Sequence, residues 1–123
     1  MRVFVAGLYS VDEHGEKAGV IEVLRNIERG TRISASLIKE GYDVFCPWLD
    51  HMFAFYEPDI GVPDYKRNSM AWLEVSDVVL VISGDGVSSG VEAEIKRAYE
   101  LDIPVYFDIY QLNMYHPVIG ENE

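Results

Sequence analysis

One carboxylate of the sequence, Glu94, follows closely behind a loop whose composition suits the binding of an anion. Residues 83–90 (SGDGVSSG) come directly after an unbroken run of β-branched residues and leucine, and a helical pattern begins where they end. The first amides of a helix have no partners within it and lie at the positive end of its dipole. An anion beside Ser88, Ser89 and Gly90 would therefore be stabilised. A half-buried carboxylate behind such a site is a candidate nucleophile.

The helical pattern ranks Glu94 only slightly above Glu92. At about 100° per residue, Glu94 lies about 70° from the middle of the apolar stripe, and Glu92 lies a little further away. A simpler interpretation stays open, because Gly- and Ser-rich turns are common after strands and a glutamate in a second helical turn is usually solvated.

The composition limits the kinds of partner. The 123 residues suit one domain, and 10 basic against 21 acidic residues give a formal charge of −11, which argues against a nucleic-acid polymer as ligand. A free nucleotide stays possible, because local amides and hydroxyls can hold one phosphate. With no run of about 20 apolar residues and no signal-like start, we expect a cytoplasmic protein without a membrane partner. The single cysteine, Cys46, is expected to be a small buried thiol.

Strand and helix patterns alternate along the chain. Apolar runs predict strands at 2–6, 42–46, 78–82 and 103–107. Helical spacing predicts helices at about 21–40 and 65–75, and a third with Val91, Ile95, Ala98 and Tyr99 on one side. Gly41 would end the first helix. Gly30 falls within the same helix at a cost of about 1 kcal/mol relative to alanine, so whether this helix is one straight piece stays open. Asp77 reads as a turn or cap residue. The alternation predicts an α/β fold of the flavodoxin-like, Rossmann-like kind, with a parallel sheet of four or five strands in the order 2-1-3-4(-5).

Two further segments lie at the carboxyl ends of predicted strands. Gly7, Tyr9 and Ser10 follow the first strand, where a glycine lets the backbone approach a ligand and two hydroxyls can contact it, although a simple turn fits equally well. Residues 11–19 read as a mobile loop in which His14 is solvated.

The segment after the second strand is rich in aromatic residues and has no regular period. These aromatic residues could stack a base, pack on another subunit or form a small satellite core: Trp48, Phe53, Phe55, Tyr56 and Tyr65. Asp50 and His51 are too few to predict a metal site. We expect neither a metal nor a cofactor.

This layout resembles the nucleoside 2-deoxyribosyltransferase superfamily. The resemblance covers roughly residues 2–107 and is closest to a small phage and bacterial branch related to the 2'-deoxynucleoside 5'-monophosphate N-glycosidases. It begins with AGLYS after the first strand. Its most specific part is a serine, five residues and then a glutamate in a small-residue helix, matched by Ser88, Gly90, Val91, Glu94, Arg97 and Ala98.

The resemblance implies roles for several residues. Glu94 would be the nucleophile that attacks the anomeric carbon of a 2-deoxyribose, as in retaining glycosidases. Ser88 would hold a 5'-phosphate, and Gly7 and Tyr9 would line the sugar and base.

One position departs from the pattern of the relatives. They usually carry an aspartate on the helix before the third strand, where this chain has Ser69 beside Asn68. Serine is no general acid near neutral pH, so either Asp64, Asp50 or Asp85 substitutes from a nearby loop, or the protein binds a nucleotide without efficient turnover. The catalytic candidates are Glu94, Tyr9 and Asp64, and the remaining candidates are expected to bind substrate or phosphate: Gly7, Ser10, Asp50, Asn68, Ser69, Asp85, Ser88, Ser89 and Gly90.

Three functions follow as hypotheses. The first is cleavage of the N-glycosidic bond of 2'-deoxynucleosides or their monophosphates, by hydrolysis or by transfer to a second base. The second is a nucleotide-binding or sensing module with little catalysis, and the third is cleavage of NAD or a sugar nucleotide. We expect a homodimer or higher homo-oligomer, because the chain is small and rich in aromatic residues and relatives complete their sites with neighbouring subunits.

Overall fold

Four parallel strands form the sheet of the computed structural model, which describes residues 1–10, 16–82 and 88–117. The strands are β1 (Arg2–Ala6), β2 (Asp43–Phe45), β3 (Val78–Val81) and β4 (Val105–Tyr106). Their order is β2-β1-β3-β4, and each neighbouring pair is parallel. The predicted strand order is confirmed, with four strands among the described residues.

Helices cover both faces of this sheet. The described helices are α1 (Val20–Lys39), α2 (Asp50–Tyr56), α3 (Val62–Leu73), α4 (Ser89–Glu100) and α5 (Ile109–Tyr115), with a 3-10 turn at Pro47–Leu49. One core contains Leu37 of α1 and Leu112 of α5, and the other contains Leu73 of α3 and Val91 of α4. The molecule is therefore an α/β protein with three layers and a flavodoxin-like strand order, as the sequence predicted.

The unbroken apolar runs explain why β1 and β3 are the central strands. From Val3 to Ala6 and from Val78 to Val81 every side chain is buried, whichever face it points to. Strands covered on both sides must be apolar at each position, whereas strands with one wet face alternate. The short strands β2 and β4 lie at the two edges.

Helix α1 is continuous through Gly30, which answers the question that the glycine raised in the sequence. A β-carbon at position 30 would lie 2.1 Å from the indole of Trp48, so the glycine makes room for this ring. The buried face of α1 consists of Asn26, Gly30, Ser34 and Leu37, whereas several of its isoleucine and leucine side chains are exposed. The predicted helix end is confirmed, because Gly41 has a φ of 103° and donates to the Ile38 carbonyl.

Several local predictions are corrected. The segment after the second strand, expected to be irregular, contains the short helix α2. A further helix that the sequence did not predict, α5, follows β4 and buries Leu112 fully. Trp48 belongs to the main core and to no satellite cluster. Tyr99 is 59% exposed, although it was expected on the inner side of α4. Cys46 is a free thiol that is only partly buried.

Asp77 fastens the amino edge of the sheet. Its carboxylate accepts a 2.7 Å hydrogen bond from the Arg2 amide, and its own amide donates to the Arg2 carbonyl at 2.9 Å. The Arg2 guanidinium also donates to the Val75 carbonyl at 3.4 Å. The predicted position of Asp77, before the third strand and on the edge opposite the candidate site, is confirmed, and its hydrogen bonds join β1 to β3.

Within the ranges given above, no helix combines the length and the apolar character that a membrane crossing requires.

Candidate functional site

The elements that carry the candidate residues converge at the carboxyl edge of the sheet. The segments that follow β1, β2 and β3 leave from this edge because the three strands are parallel. Helix α4 follows β3 and α3 precedes it, so both helices run against the strand direction and both begin at this edge. The start of α4, the start of α3 and the segment after β1 therefore all lie at this edge of the sheet.

Glu94 lies in the second turn of α4 with one carboxylate oxygen sealed from solvent. The side chain as a whole is partly covered, but its Oε2 is buried and finds no hydrogen-bond partner in the described parts of the chain. Burial raises the pKa of Glu94 to about 8, from an ordinary value of 4.5. Glu92 is exposed. The structure therefore separates two carboxylates that the sequence ranked almost equally.

The start of α4 is capped by the serine that was predicted to bind phosphate. Ser88 has extended backbone angles, and its Oγ accepts a 3.2 Å hydrogen bond from the Val91 amide. An accepting hydroxyl still has its own proton to donate. Ser89 and Gly90 form the first turn, where amides have no partner within the helix. Asp85 falls in residues 83–87, outside the described parts of the chain.

Tyr9 follows β1 and is held in place through backbone contacts. The Asn26 side-chain amide donates to the Tyr9 carbonyl at 3.0 Å, and Arg29 donates to the Asn26 carbonyl oxygen at 2.8 Å. One residue earlier, the Trp48 indole N–H donates to the Leu8 carbonyl at 2.9 Å. The backbone at Tyr9 is thus held by α1 and by the 3-10 turn after β2.

The Tyr9 hydroxyl lies in the electrostatic range of Asp50 and Tyr65. Burial, then the charge of Asp50 and then Tyr65, raise the pKa of Tyr9 to about 12. Burial also raises the pKa of Asp50, and burial followed by the charge of Asp50 raises the pKa of Tyr65. The Tyr65 ring is half-buried, whereas its hydroxyl oxygen is buried and has no hydrogen-bond partner among the residues described. We name Tyr9, Asp50 and Tyr65 the hydroxyl–carboxylate cluster.

Asp64 stabilises the start of α3 through a hydrogen bond with the Gly61 amide. Its carboxylate is exposed, accepts the Gly61 amide at 3.2 Å and pairs with Arg67 at 2.8 Å. The hydrogen bond from Arg67, with that from Gly61, lowers the pKa of Asp64. This carboxylate is stabilised in its ionised form at a helix start, and its catalytic role stays a prediction without a supporting contact.

The remaining candidates lie at the margins of the site. Gly7 faces Trp48, whose ring would lie 2.8 Å from a β-carbon there, so packing already explains the glycine. Ser10 is exposed, and its carbonyl accepts the Ala18 amide at 3.0 Å. Asn68 and Asp50 line an open cleft of about 540 Å³ that runs along the free edge of β2. Ser69 is half-buried one helical turn after Tyr65.

The sequence contained a weak sign of the Tyr65 contribution. Tyr65 and Ser69 are four residues apart and therefore share a face of α3. The unpartnered hydroxyl, however, is visible only when the neighbouring elements are in place. The same holds for Asn26, which looks like an ordinary polar helix residue until its contact with Tyr9 is seen.

A metal centre finds no support in the residues that the structure describes. No group of three or more potential ligands from His, Cys, Asp and Glu occurs among them. The Nδ1 atom of His51 lies 2.6 Å from the Trp48 carbonyl, a contact that requires its proton.

No protein-family model matches the chain, and no curated protein matches it either. The function proposed below therefore rests on the geometry together with the resemblance noted in the sequence.

Proposed function

We propose that the protein cleaves the N-glycosidic bond of 2'-deoxynucleosides or their 5'-monophosphates, with Glu94 as the nucleophile. The observation that carries this proposal is the Oε2 of Glu94, which is buried and finds no partner among the described residues, in the second turn of a helix that begins at the carboxyl edge of a parallel sheet. Open parallel sheets bind their ligands at this edge. A buried polar atom without a partner costs about 1–3 kcal/mol, which a ligand that contacts it can offset. The resemblance to the nucleoside 2-deoxyribosyltransferase superfamily supports the same residue.

The chemistry suits a carboxylate in this position. The ionised Glu94 attacks the anomeric carbon, a C–O bond forms, and the C–N bond to the base breaks with its electron pair leaving on the base. Water, or a second base, then attacks the same carbon and releases Glu94. A low-dielectric site favours the step because the neutral glycosyl ester replaces a buried charge.

The start of α4 supplies a position for a 5'-phosphate. The Ser88 hydroxyl retains a proton to donate, and the amides of Ser89 and Gly90 lie at the positive end of the helix dipole. Glu94 is one to two turns further along the same helix. In a deoxynucleoside monophosphate, the phosphate and the anomeric carbon are separated by the sugar ring. Residues of one helix can therefore contact both groups, Ser88 the phosphate and Glu94 the anomeric carbon.

A second candidate is a nucleotide-binding module with little catalysis. The observation that favours it is the pKa of about 8 at Glu94, because a carboxyl group that is protonated at pH 7 is a poor nucleophile. A neutral Glu94 would instead donate a hydrogen bond to a sugar or base.

The experiment is to incubate the protein with each deoxynucleoside and each monophosphate and to separate free base by chromatography. Base release that is lost in Glu94→Gln and retained in Glu92→Gln supports the enzyme, because the control changes an exposed carboxylate two residues away on the same helix. A second base added as acceptor distinguishes transfer from hydrolysis. Tight binding of monophosphates without base release supports the module instead.

A further inference from the structure

Helix α1 has a second stripe of apolar and small residues besides the face that packs on the sheet. The buried face consists of Asn26, Gly30, Ser34 and Leu37. At about 100° per residue, the second stripe is centred about 120° away from this face around the helix. Its members are Val20, Ile21, Leu24, Thr31, Ala35 and Ile38. We name them the outer stripe of α1.

The outer stripe lies on the surface of the molecule. Its four large side chains are 55–76% exposed, Ala35 is exposed as well, and only Thr31 is half-buried. The side of a helix that faces water is normally polar. In α1 the charged residues lie mainly on a third side of the helix: Glu22, Arg25, Arg29 and Arg32. An exposed apolar stripe about 27 Å long indicates a surface that contacts another molecule.

The sequence of the outer stripe is similar when read from either end. In an antiparallel pair of α1 helices centred between residues 29 and 30, Ile21 of one copy lies opposite Ile38 of the other. In the same register Leu24 lies opposite Ala35, so a large side chain meets a small one. A two-fold axis requires this kind of self-complementary surface, because each contact occurs twice. The pattern therefore favours a second copy of this chain as the partner.

The charges at the border of the outer stripe favour the antiparallel orientation. Arg32 and Glu28 form a 3.0 Å ion pair within the helix. In the antiparallel register, Arg32 of each copy lies next to Glu28 of the other copy. A parallel pair would instead place Arg32 beside Arg32 and Glu28 beside Glu28. The antiparallel orientation also pairs the positive end of each helix dipole with the negative end of the other.

Helix α1 is a part of the chain where repulsion between two copies is weak. The chain carries a formal charge of −11, whereas residues 20–39 contain four basic and two acidic residues. Residues 49–59 also expose several large apolar side chains, but they contain three acidic residues and neither Lys nor Arg. Two copies that met through residues 49–59 would bring like charges together. The charge distribution thus favours α1 over that segment as the surface for a second copy.

We propose that two copies of the protein associate through the outer stripes of their α1 helices, packed antiparallel around a two-fold axis. This inference does not depend on the proposed function. A contact about 30 Å long and about 10 Å wide is small beside the standard interface of about 800 Å² per partner. The dimer should therefore be reversible and dissociate on dilution.

This pairing keeps the two candidate sites apart. Helix α1 follows β1, so it begins at the carboxyl edge of the sheet and ends at the opposite edge. In an antiparallel pair the starts of the two helices are separated by about 30 Å, the length of the helix. The outer stripe therefore brings no candidate site residue of one copy to the site of the other, unlike the subunit contact expected from the resemblance.

The first experiment measures the molar mass of the full chain by sedimentation equilibrium, from micromolar to millimolar concentration. We expect a monomer–dimer equilibrium whose dissociation constant rises at least about tenfold in Leu24→Glu and in Ile38→Glu. Both side chains are more than half exposed, so the substitutions leave the core contacts in place. Val62→Glu is the matched control, because it makes the same kind of change at a 64% exposed position in the first turn of α3. It should leave the dissociation constant unchanged.

The second experiment tests the orientation by disulfide cross-linking. The natural free thiol is removed first by Cys46→Ser. Ile21→Cys combined with Ile38→Cys should then give a covalent dimer on oxidation. Ile38→Cys alone should not, because the antiparallel register separates the two copies of residue 38 by about 25 Å, well beyond the reach of a disulfide.

Three results would overturn the proposal. The first is a protein that stays monomeric at millimolar concentration. The second is a dimer that Phe55→Glu dissociates and Leu24→Glu leaves intact, since the contact would then lie in residues 49–59. The third is efficient cross-linking through Ile38→Cys alone, which would contradict the antiparallel register.

Discussion

Trp48 lies so close to Gly30 that a β-carbon at position 30 would fall 2.1 Å from the indole ring. The same indole donates its N–H to the Leu8 carbonyl at 2.9 Å and is 1% exposed. One aromatic side chain therefore fills the gap between α1 and the segment that carries Tyr9. The packing of α1 and the position of the candidate site depend on this contact.

Gly30→Ala should destabilise the protein. The alanine gains about 1 kcal/mol in helix propensity, but a methyl group against a rigid indole forces a shift that typically costs about 1–3 kcal/mol. We expect a net loss in the free energy of unfolding, measured by urea denaturation. Gly90→Ala is the control, because the one atom of the described residues that a β-carbon there would meet is Ser88 Oγ, at an ordinary contact distance of 3.7 Å. Equal stability of the two variants would contradict the close packing.

The rate of base release should increase with pH up to about 8. The pKa of Glu94 is about 8, and only its ionised form is a nucleophile. We expect kcat/KM to rise about tenfold per pH unit below this value and to level off above it. The measurement is a pH profile of base release, and Glu92→Gln should show the same profile. A plateau that already extends down to pH 6 would be inconsistent with a buried Glu94 nucleophile.

Glu94 should make the stability of the protein depend on pH. The unfolded carboxyl group ionises near 4.5 and the folded one near 8, so the folded state binds more protons between these values. Its contribution to stability is fully present below pH 4.5 and is lost as the pH rises to 8, at about 1.4 kcal/mol for each pKa unit of the shift. Glu94→Gln should therefore gain stability over the unmodified protein at pH 8 and show little difference at pH 4. A difference that is the same at both pH values would contradict the raised pKa.

Ser88→Asp should distinguish a phosphate site from a simple helix cap. Aspartate caps a helix about as well as serine, so the stability should change little. A negative charge beside a bound 5'-phosphate should lower kcat/KM for monophosphates by at least about tenfold, whereas that for nucleosides should be retained. The measurement is base release from matched nucleoside and monophosphate pairs. Equal effects on both members of a pair would remove the phosphate role of Ser88.

Asn26→Ala should weaken the site through the backbone of Tyr9. The substitution leaves the Tyr9 carbonyl without the 3.0 Å hydrogen bond from Asn26, which costs about 1–3 kcal/mol when the group is buried. We expect lower stability and a higher KM for base release. Arg29→Ala is the control, since it removes the 2.8 Å hydrogen bond to the Asn26 carbonyl oxygen and leaves the bond from the Asn26 amide nitrogen to the Tyr9 carbonyl in place. Substrate affinity in Asn26→Ala that matches the control would show that Tyr9 is positioned by other contacts.

The strand order could be predicted from the sequence because the two central strands have a distinctive apolar pattern. The buried positions of β1 and β3 are apolar without interruption, and only a strand covered on both faces has this pattern. The face of α1 could not be read in the same way. The buried face of α1 packs against the indole of Trp48, which leaves room only for Gly30 and other small residues. Most buried positions of this helix are therefore not apolar in the sequence.

The short helices were missed for a different reason. Helices α2 and α5 have 7 residues each, too few to show two full turns of an apolar period. Leu112 is fully buried all the same, since tertiary contacts stabilise a helix whose own sequence is only weakly helical.

The sequence predicted where the candidate site lies in the fold, but the predicted set of residues was incomplete. The carboxyl edge followed from the strand order, and Glu94 followed from the loop and the helix stripe. The Tyr65 hydroxyl, which has no partner within the described ranges, and the electrostatic effect of Asp50 on it depend on how α2 and α3 pack against the sheet. No local sequence pattern specifies this packing.

The hydrogen bonds between Arg2 and Asp77 fix the register of β1 and β3 at the edge of the sheet opposite the candidate site. They join the beginnings of β1 and β3 at the rim remote from Glu94, and a molecule entering at the opposite rim would break none of them. Binding of the proposed substrate at the opposite rim would therefore leave the hydrogen bonds that anchor β1 intact. Adjustments that admit such a molecule can occur at one end of the strands while their register stays fixed at the other.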